Sequence, residues 1–180
     1  MKIDILFLDN DLSDHEEYFD NQTIKEYCET HSFEGEKNQI LSVPPSYSKS
    51  QNLTYLVGLG ENKVDNNFYD IGTLIGSKIK SDAEIKFLNF EEEKNLIIDG
   101  ILYVQYKFNN YKSEDDSSIN NITFKDIDSS VNEIKKDSVF WVRDLINTPA
   151  LDKSPEEFID KVKELVDSSD IDVEVYDKKW

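Results

Sequence analysis

Residues 53–60 read LTYLVGLG. The run is nearly all apolar, with a tyrosine and a valine, which is how a strand covered on both faces looks. The period then changes. Phe68, Ile71, Leu74, Ile75 and Ile79 fall on one side of a helix predicted over 66–80. A doubly covered strand followed at once by an amphipathic helix is the building unit of an α/β layer structure.

Working outward, the same alternation recurs. Residues 2–8 predict a strand with Ile3, Ile5 and Phe7 on one face and Leu6 and Leu8 on the other. Residues 38–43 predict a short strand stopped by Pro44-Pro45. Strands are expected again at 83–90 and 121–126. Helices are expected at 92–108, with Ile97, Ile101, Val104 and Phe108 in line, and at 129–147. Residues 12–31 read as polar and at most partly helical, so no clear helix separates the first two strands. The expected fold is a three-layer α/β/α arrangement with a mixed sheet.

Near the C-terminus, Thr148 precedes Pro149 and is pushed away from helical geometry, which ends the third helix. Ser154-Pro155-Glu156-Glu157 then supplies an N-cap, a proline at the first helical position and a glutamate at the third. Phe158, Val162 and Leu165 give the new helix an apolar stripe, and 171–177 predict an alternating strand. A helix and a strand of this size cannot enclose a core of their own. The expected organisation is a first domain at 1–128, a connecting helix at 129–147 and the start of a further unit at 148–180.

Composition narrows the function. The chain has 180 residues, 38% hydrophobic, with a formal net charge of −18. Such a surface repels phosphate backbones and anionic lipid, which argues against nucleic acid and membranes as partners. A single cysteine, Cys28, allows no internal disulfide. With no long apolar run and no signal-peptide pattern, a cytoplasmic location is the expectation.

Individual motifs carry little chemistry. Cys28-x-x-His31, with His15 the only other histidine, falls short of the four ligands of a structural zinc site. Asp9, Asp11 and Ser13 occupy the opening places of a calcium loop. However, Asp14 stands where the turn wants glycine and Asp20 where a glutamate belongs, so a solvated charge run is the better reading. Gly58-Leu59-Gly60 follows a strand as a phosphate loop would, but the third glycine is missing and acidic residues follow. Neither a G-x-S-x-G nor a partner for Cys28 supports nucleophilic catalysis.

Three longer segments resemble the M17 leucyl aminopeptidases, the cytosol aminopeptidases. In WVRDLINTPALDKSPEEF (141–158), Arg143, Asp144, Leu145, Asn147, Pro149, Ala150 and Pro155 match the family's run into a proline-initiated helix, with a departure at Leu151-Asp152. In LIIDGILYVQYKFNNYKS (96–113) the matches are Gly100, Tyr106, Phe108, Tyr111, Lys112 and Ser113. LTYLVGLGE is similar to the strand upstream of these in the family. The resemblance runs over about residues 32–180.

It implies a macro-domain-like N-terminal domain joined by a helix to a catalytic domain. The catalytic domain would hold two divalent metals, zinc or manganese, on residues beyond this chain, and the full-length enzyme would be a homo-hexamer. No catalytic or metal-binding residue carries over, and Arg143, Asp144, Asn147 and Pro149 stand as structural motif residues. By resemblance, 148–180 is the first helix and strand of that catalytic domain, and this chain is a portion of a longer protein that serves assembly or regulation. Two other expectations remain open: a macro-like module binding nucleotide or ADP-ribose, and a protein-interaction module.

Overall fold

β1 (Lys2–Leu8) occupies the centre of the sheet, pairing in parallel with β3 (Leu53–Gly58) on one side and β4 (Ala83–Phe87) on the other. At one edge β2 (Ile40–Val43) runs antiparallel to β3, and at the other β5 (Ile122–Phe124) runs parallel to β4. The five-stranded order is β2-β3-β1-β4-β5. The sheet is therefore mixed, as expected, and its one antiparallel strand is at an edge. The computed structural model describes residues 1–10, 12, 16–61, 67–89, 93–109, 111, 120–167 and 169–176.

The alternation in β1 sorts two cores. Ile3, Ile5 and Phe7 join Tyr55, Val57 and Ile85 against α2 (Phe68–Lys78) and α3 (Lys94–Tyr103), through Ile71, Ile75, Ile97 and Ile101. Leu6, Leu8 and Leu56 face the other way, onto Ile24 and Cys28 of α1 (Asn21–Thr30) and onto Phe19 and Phe33. Residues 12–31 are helical in part, as expected, but α1 is a clear helix between the first two strands, where none was expected. Asp20 caps it by accepting from the Thr23 amide, and Ile24 and Cys28, one turn apart, anchor it with partly buried Tyr27 beside them.

α2 and α3 approach unusually closely. A methyl group on Gly72 would lie 2.2 Å from the Ile97 carbonyl oxygen, and one on Gly100 2.2 Å from that of Tyr69. The predicted helix over 92–108 ends at Tyr103; Val104 is 40% exposed, yet its Cγ1 would lie 2.5 Å from a methyl group on Gly76 of α2. Buried Gln105 explains the stop. Its Nε2 donates to the Gly76 carbonyl at the end of α2, and its Oε1 accepts from Asn120 Nδ2, tying both helix ends to the strand that follows.

β4 also ends earlier than expected, at Phe87 rather than residue 90. Asn89 takes over the ladder with its side chain: Oδ1 accepts from the Phe7 amide at 2.9 Å and Nδ2 donates to the Phe7 carbonyl at 2.7 Å.

The chain divides into two compact units, Met1–Val139 and Phe140–Trp180, with the division inside α4 (Ser130–Asn147), the helix expected to connect two domains. In the first unit, buried Asn132 of α4 donates to Asp99 of α3.

In the second unit α4 stops at Asn147, as the following proline requires. A short 3-10 turn (Ala150–Asp152) leads to α5 (Pro155–Val166), which has the full capping box of Ser154 and Glu157. Residues 171–176 are not a strand, which corrects that expectation. Ile171, Val173 and Val175 alternate with polar residues in the sequence, but among the described residues no strand pairs with them, and alternation without a partner makes no sheet.

Candidate functional site

The first unit has an open cleft of ≈ 580 Å³ at the carboxyl end of β1, lined by Asn10 and Leu12, by α1 and by the segment that leaves it. Ligands of open α/β sheets collect at strand carboxyl ends. One wall is the exposed face of α1 with Lys25 and Glu29, and buried Cys28 lies behind it. Another part of the lining is residues 32–34, and the chain just after them is pinned by backbone contact. A methyl group on Gly35 would lie 2.2 Å from the Asp9 carbonyl oxygen, and one on Gly58 2.1 Å from that of Glu36. The Gly60 amide donates to the Gly35 carbonyl at 2.9 Å.

These contacts account for the Gly58-Leu59-Gly60 pair. The glycines let the 33–39 loop seat on the ends of β1 and β3, and they are not a phosphate cradle. Leu12, Ser32 and Gly35 around the cleft all have left-handed backbone, with φ of 50°, 53° and 69°. For a leucine that conformation is held against its preference by the surrounding fold.

Burial pushes the Cys28 thiol up to about 11, so it stays protonated and packs as an apolar group. Cys28 and His31 do not converge. His31 is exposed, its Nδ1 is 2.8 Å from the Tyr27 carbonyl, and its ring stacks on Tyr27. His15 lies outside the described residues, as do Asp11, Ser13 and Asp14 of the calcium-like run. Among the described residues no group of three or more His, Cys, Asp or Glu side chains could hold a metal ion.

The second unit holds the family-like motif. Arg143, Asp144 and Asn147 are on the last turns of α4, and Pro149 is in the turn after it. The Asp144 carbonyl accepts from both the amide and the hydroxyl of Thr148, at 2.9 and 2.7 Å, which closes the helix end. Lys153 Nζ donates to the Leu145 carbonyl at 2.7 Å. Together with the Ser154–Glu157 box these bonds make a fixed joint between two helices. Beside it lies an open, mostly apolar groove of ≈ 450 Å³ lined by Val142, Ile146 and Phe158. Of the other motif segment, Gly100 makes the α2–α3 contact and the rings of Phe108 and Tyr111 pair at 5.8 Å, while Lys112 and Ser113 lie outside the described residues.

Sequence reasoning missed the cleft at the end of β1. Its walls come from separate segments, and none of them carries a recognisable spacing.

No protein-family profile matches the chain, and no curated protein matches it. Solved structures do. A tomato leucine aminopeptidase variant matches with a TM-score of 0.66 at 15% identity, over 93% of this chain and 39% of its own. The cytosol aminopeptidase of Coxiella burnetii matches with a TM-score of 0.68 at 22% identity, over 93% of this chain and 36% of its own. The bottromycin maturation enzyme BotP matches with a TM-score of 0.71 at 14% identity, over 95% of this chain and 38% of its own, and a further structure of it is a complex with Mn. This chain thus spans a little over a third of the length of these proteins. Its fold is the one found in that share of the leucine and cytosol aminopeptidases, the same proteins that its three sequence segments resemble.

Proposed function

We propose that this chain is the N-terminal, non-catalytic portion of an M17-type, metal-dependent leucyl aminopeptidase, a cytoplasmic enzyme that removes N-terminal residues from peptides. The observation that carries the reading is the extent of the structural likeness. It runs over 93% of this chain, across both units, yet takes in only 36–39% of the two aminopeptidases. The Arg143–Pro155 joint falls in the second unit, where the family resemblance in sequence is most specific.

On this reading residues 148–180 begin the catalytic domain. The residues described here do not fit a two-metal centre, because they bring no set of carboxylates together. Metal binding and peptide hydrolysis would be the work of the larger part, and this portion would serve assembly, in a homo-hexamer, or regulation of access. Nucleic acid and membranes are not proposed as partners: the net charge is −18, and among the described residues no helix is long and apolar enough to cross a membrane.

The test compares this chain with the product of the reading frame continued past Trp180. Both are assayed on a leucine anilide with manganese or zinc added. The expected result is chelator-sensitive hydrolysis by the longer product and none by this chain. A continued frame without a carboxylate- and lysine-bearing domain, or without activity, would end the aminopeptidase reading.

A further inference from the structure

Next to the cleft at the carboxyl end of β1, and sharing Leu12, Lys25 and Cys28 with its lining, is a small nook. Its lining of Leu8, Leu12, Ile24, Cys28 and the stem of Lys25 is apolar, and at ≈ 10 Å³ it has room for about one water or one methyl group. A water there would lack the two to four polar partners that hold a buried water, so an aliphatic group is the better occupant. The mouth is polar. Among the described lining residues Lys25 is the one cation, while Glu29 and Glu34 are anionic and Ser32 and Asn10 neutral.

A phosphate or dicarboxylate ligand would approach a chain of net charge −18 against its field. A zwitterion has no net charge to repel, and it can use both signs at the mouth. The walls need no rearrangement, because Gly35 and Gly58 lock the 32–36 segment onto the ends of β1 and β3.

From these features we infer that the cleft binds a free α-amino acid with a short aliphatic side chain. The methyl-sized end fills the nook, the carboxylate faces Lys25, and the ammonium faces Glu29 and Glu34. Cys28 contributes surface only, so the site binds without covalent chemistry. The inference rests on the cleft alone and stands apart from the aminopeptidase reading.

The experiment is a titration of the isotope-labelled full chain with L-alanine and L-valine, followed by amide chemical shifts. Saturable shifts are expected at Asn10, Leu12 and residues 25–34. N-acetyl-L-alanine and L-alaninamide, which each lack one charge, should bind at least about tenfold more weakly. Lys25→Gln, an exposed change that leaves the rest of the spectrum in place, should weaken L-alanine by about tenfold and leave L-alaninamide unaffected. The proposal fails if neither amino acid gives saturable shifts at Cys28 and Ser32, or if the acetylated or amidated forms bind equally well. It also fails if inorganic phosphate saturates the same amides, which would make the cleft an anion site.

Discussion

Asn132 Nδ2 donates to Asp99 Oδ1 at 2.7 Å, and both residues are buried. The same amide donates to the Asn95 carbonyl at 3.0 Å, and Lys135 Nζ is 3.4 Å from the other Asp99 oxygen. A carboxylate inside α3 is therefore neutralised from the first turns of α4. Asn132→Ala leaves a buried acceptor with one half-exposed cation, and should cost about 1–3 kcal/mol in urea unfolding. Lys135→Ala should cost under about 1 kcal/mol, because that side chain is half-exposed. Equal costs for the two would mean that the contact does not persist in solution.

Gly100→Ala places a methyl group 2.2 Å from the Tyr69 carbonyl oxygen. Backbone stands on both sides of this contact, so no side chain can move aside and the helices must separate. A loss of about 3 kcal/mol or more, seen as a lower thermal midpoint or as insoluble protein, is expected. A fully stable variant would show that α2 and α3 lie further apart.

The Cys28 thiol, raised by burial from its ordinary 9.0 to about 11, gives stability a pH dependence. Below the unfolded value the thiol is protonated in both states, and its contribution is fully present. As pH rises from about 9 to about 11 the unfolded chain loses its proton first, and stability falls by on the order of 2 kcal/mol. Cys28→Ala should show a shallower decline over that window, measured by denaturant midpoints at each pH. Native protein should react with a disulfide reagent only after unfolding. Rapid labelling at neutral pH would contradict the burial.

α5 has no buried residue, whereas Thr54 to Gly58 of β3 are buried throughout. Amide exchange should accordingly be much faster at 157–166 than at 54–58, and faster still at 171–176. Ser154→Ala, which removes the capping box, should lower the protection of the first turn of α5 by about 1 kcal/mol. Comparable protection in α5 and β3 would mean that the second unit has a core of its own.

Periodicity in the sequence is a record of which side of an element is covered, and that part was legible. The two faces of residues 2–8 and the apolar run at 53–58 follow directly from burial. The Ser154 cap was also legible, because capping is chemistry between neighbours in sequence. What escaped depends on contacts from far along the chain. α1 is held by Ile24 and Cys28 with partly buried Tyr27, whose hydroxyl donates to the Ser42 carbonyl, a signal too sparse for periodicity. α3 stops because Gln105 reaches Gly76, and β4 stops because Asn89 reaches Phe7. The strand expected at 171–177 shows the converse, since alternation describes a capacity to pair and says nothing about whether a partner is there. The cleft was out of reach for a further reason: its polar residues acquire meaning only when the 32–36 segment folds back onto Asp9.

The side chain of Asn89 occupies a place where sheets ordinarily use peptide groups. One amide finishes the β4 side of the central strand at Phe7, two residues past the last β1–β4 pair, Ile5 with Phe87. A single side-chain amide thus stands in for a peptide group, closing the edge of a pair with the two bonds that one further residue of backbone would otherwise make.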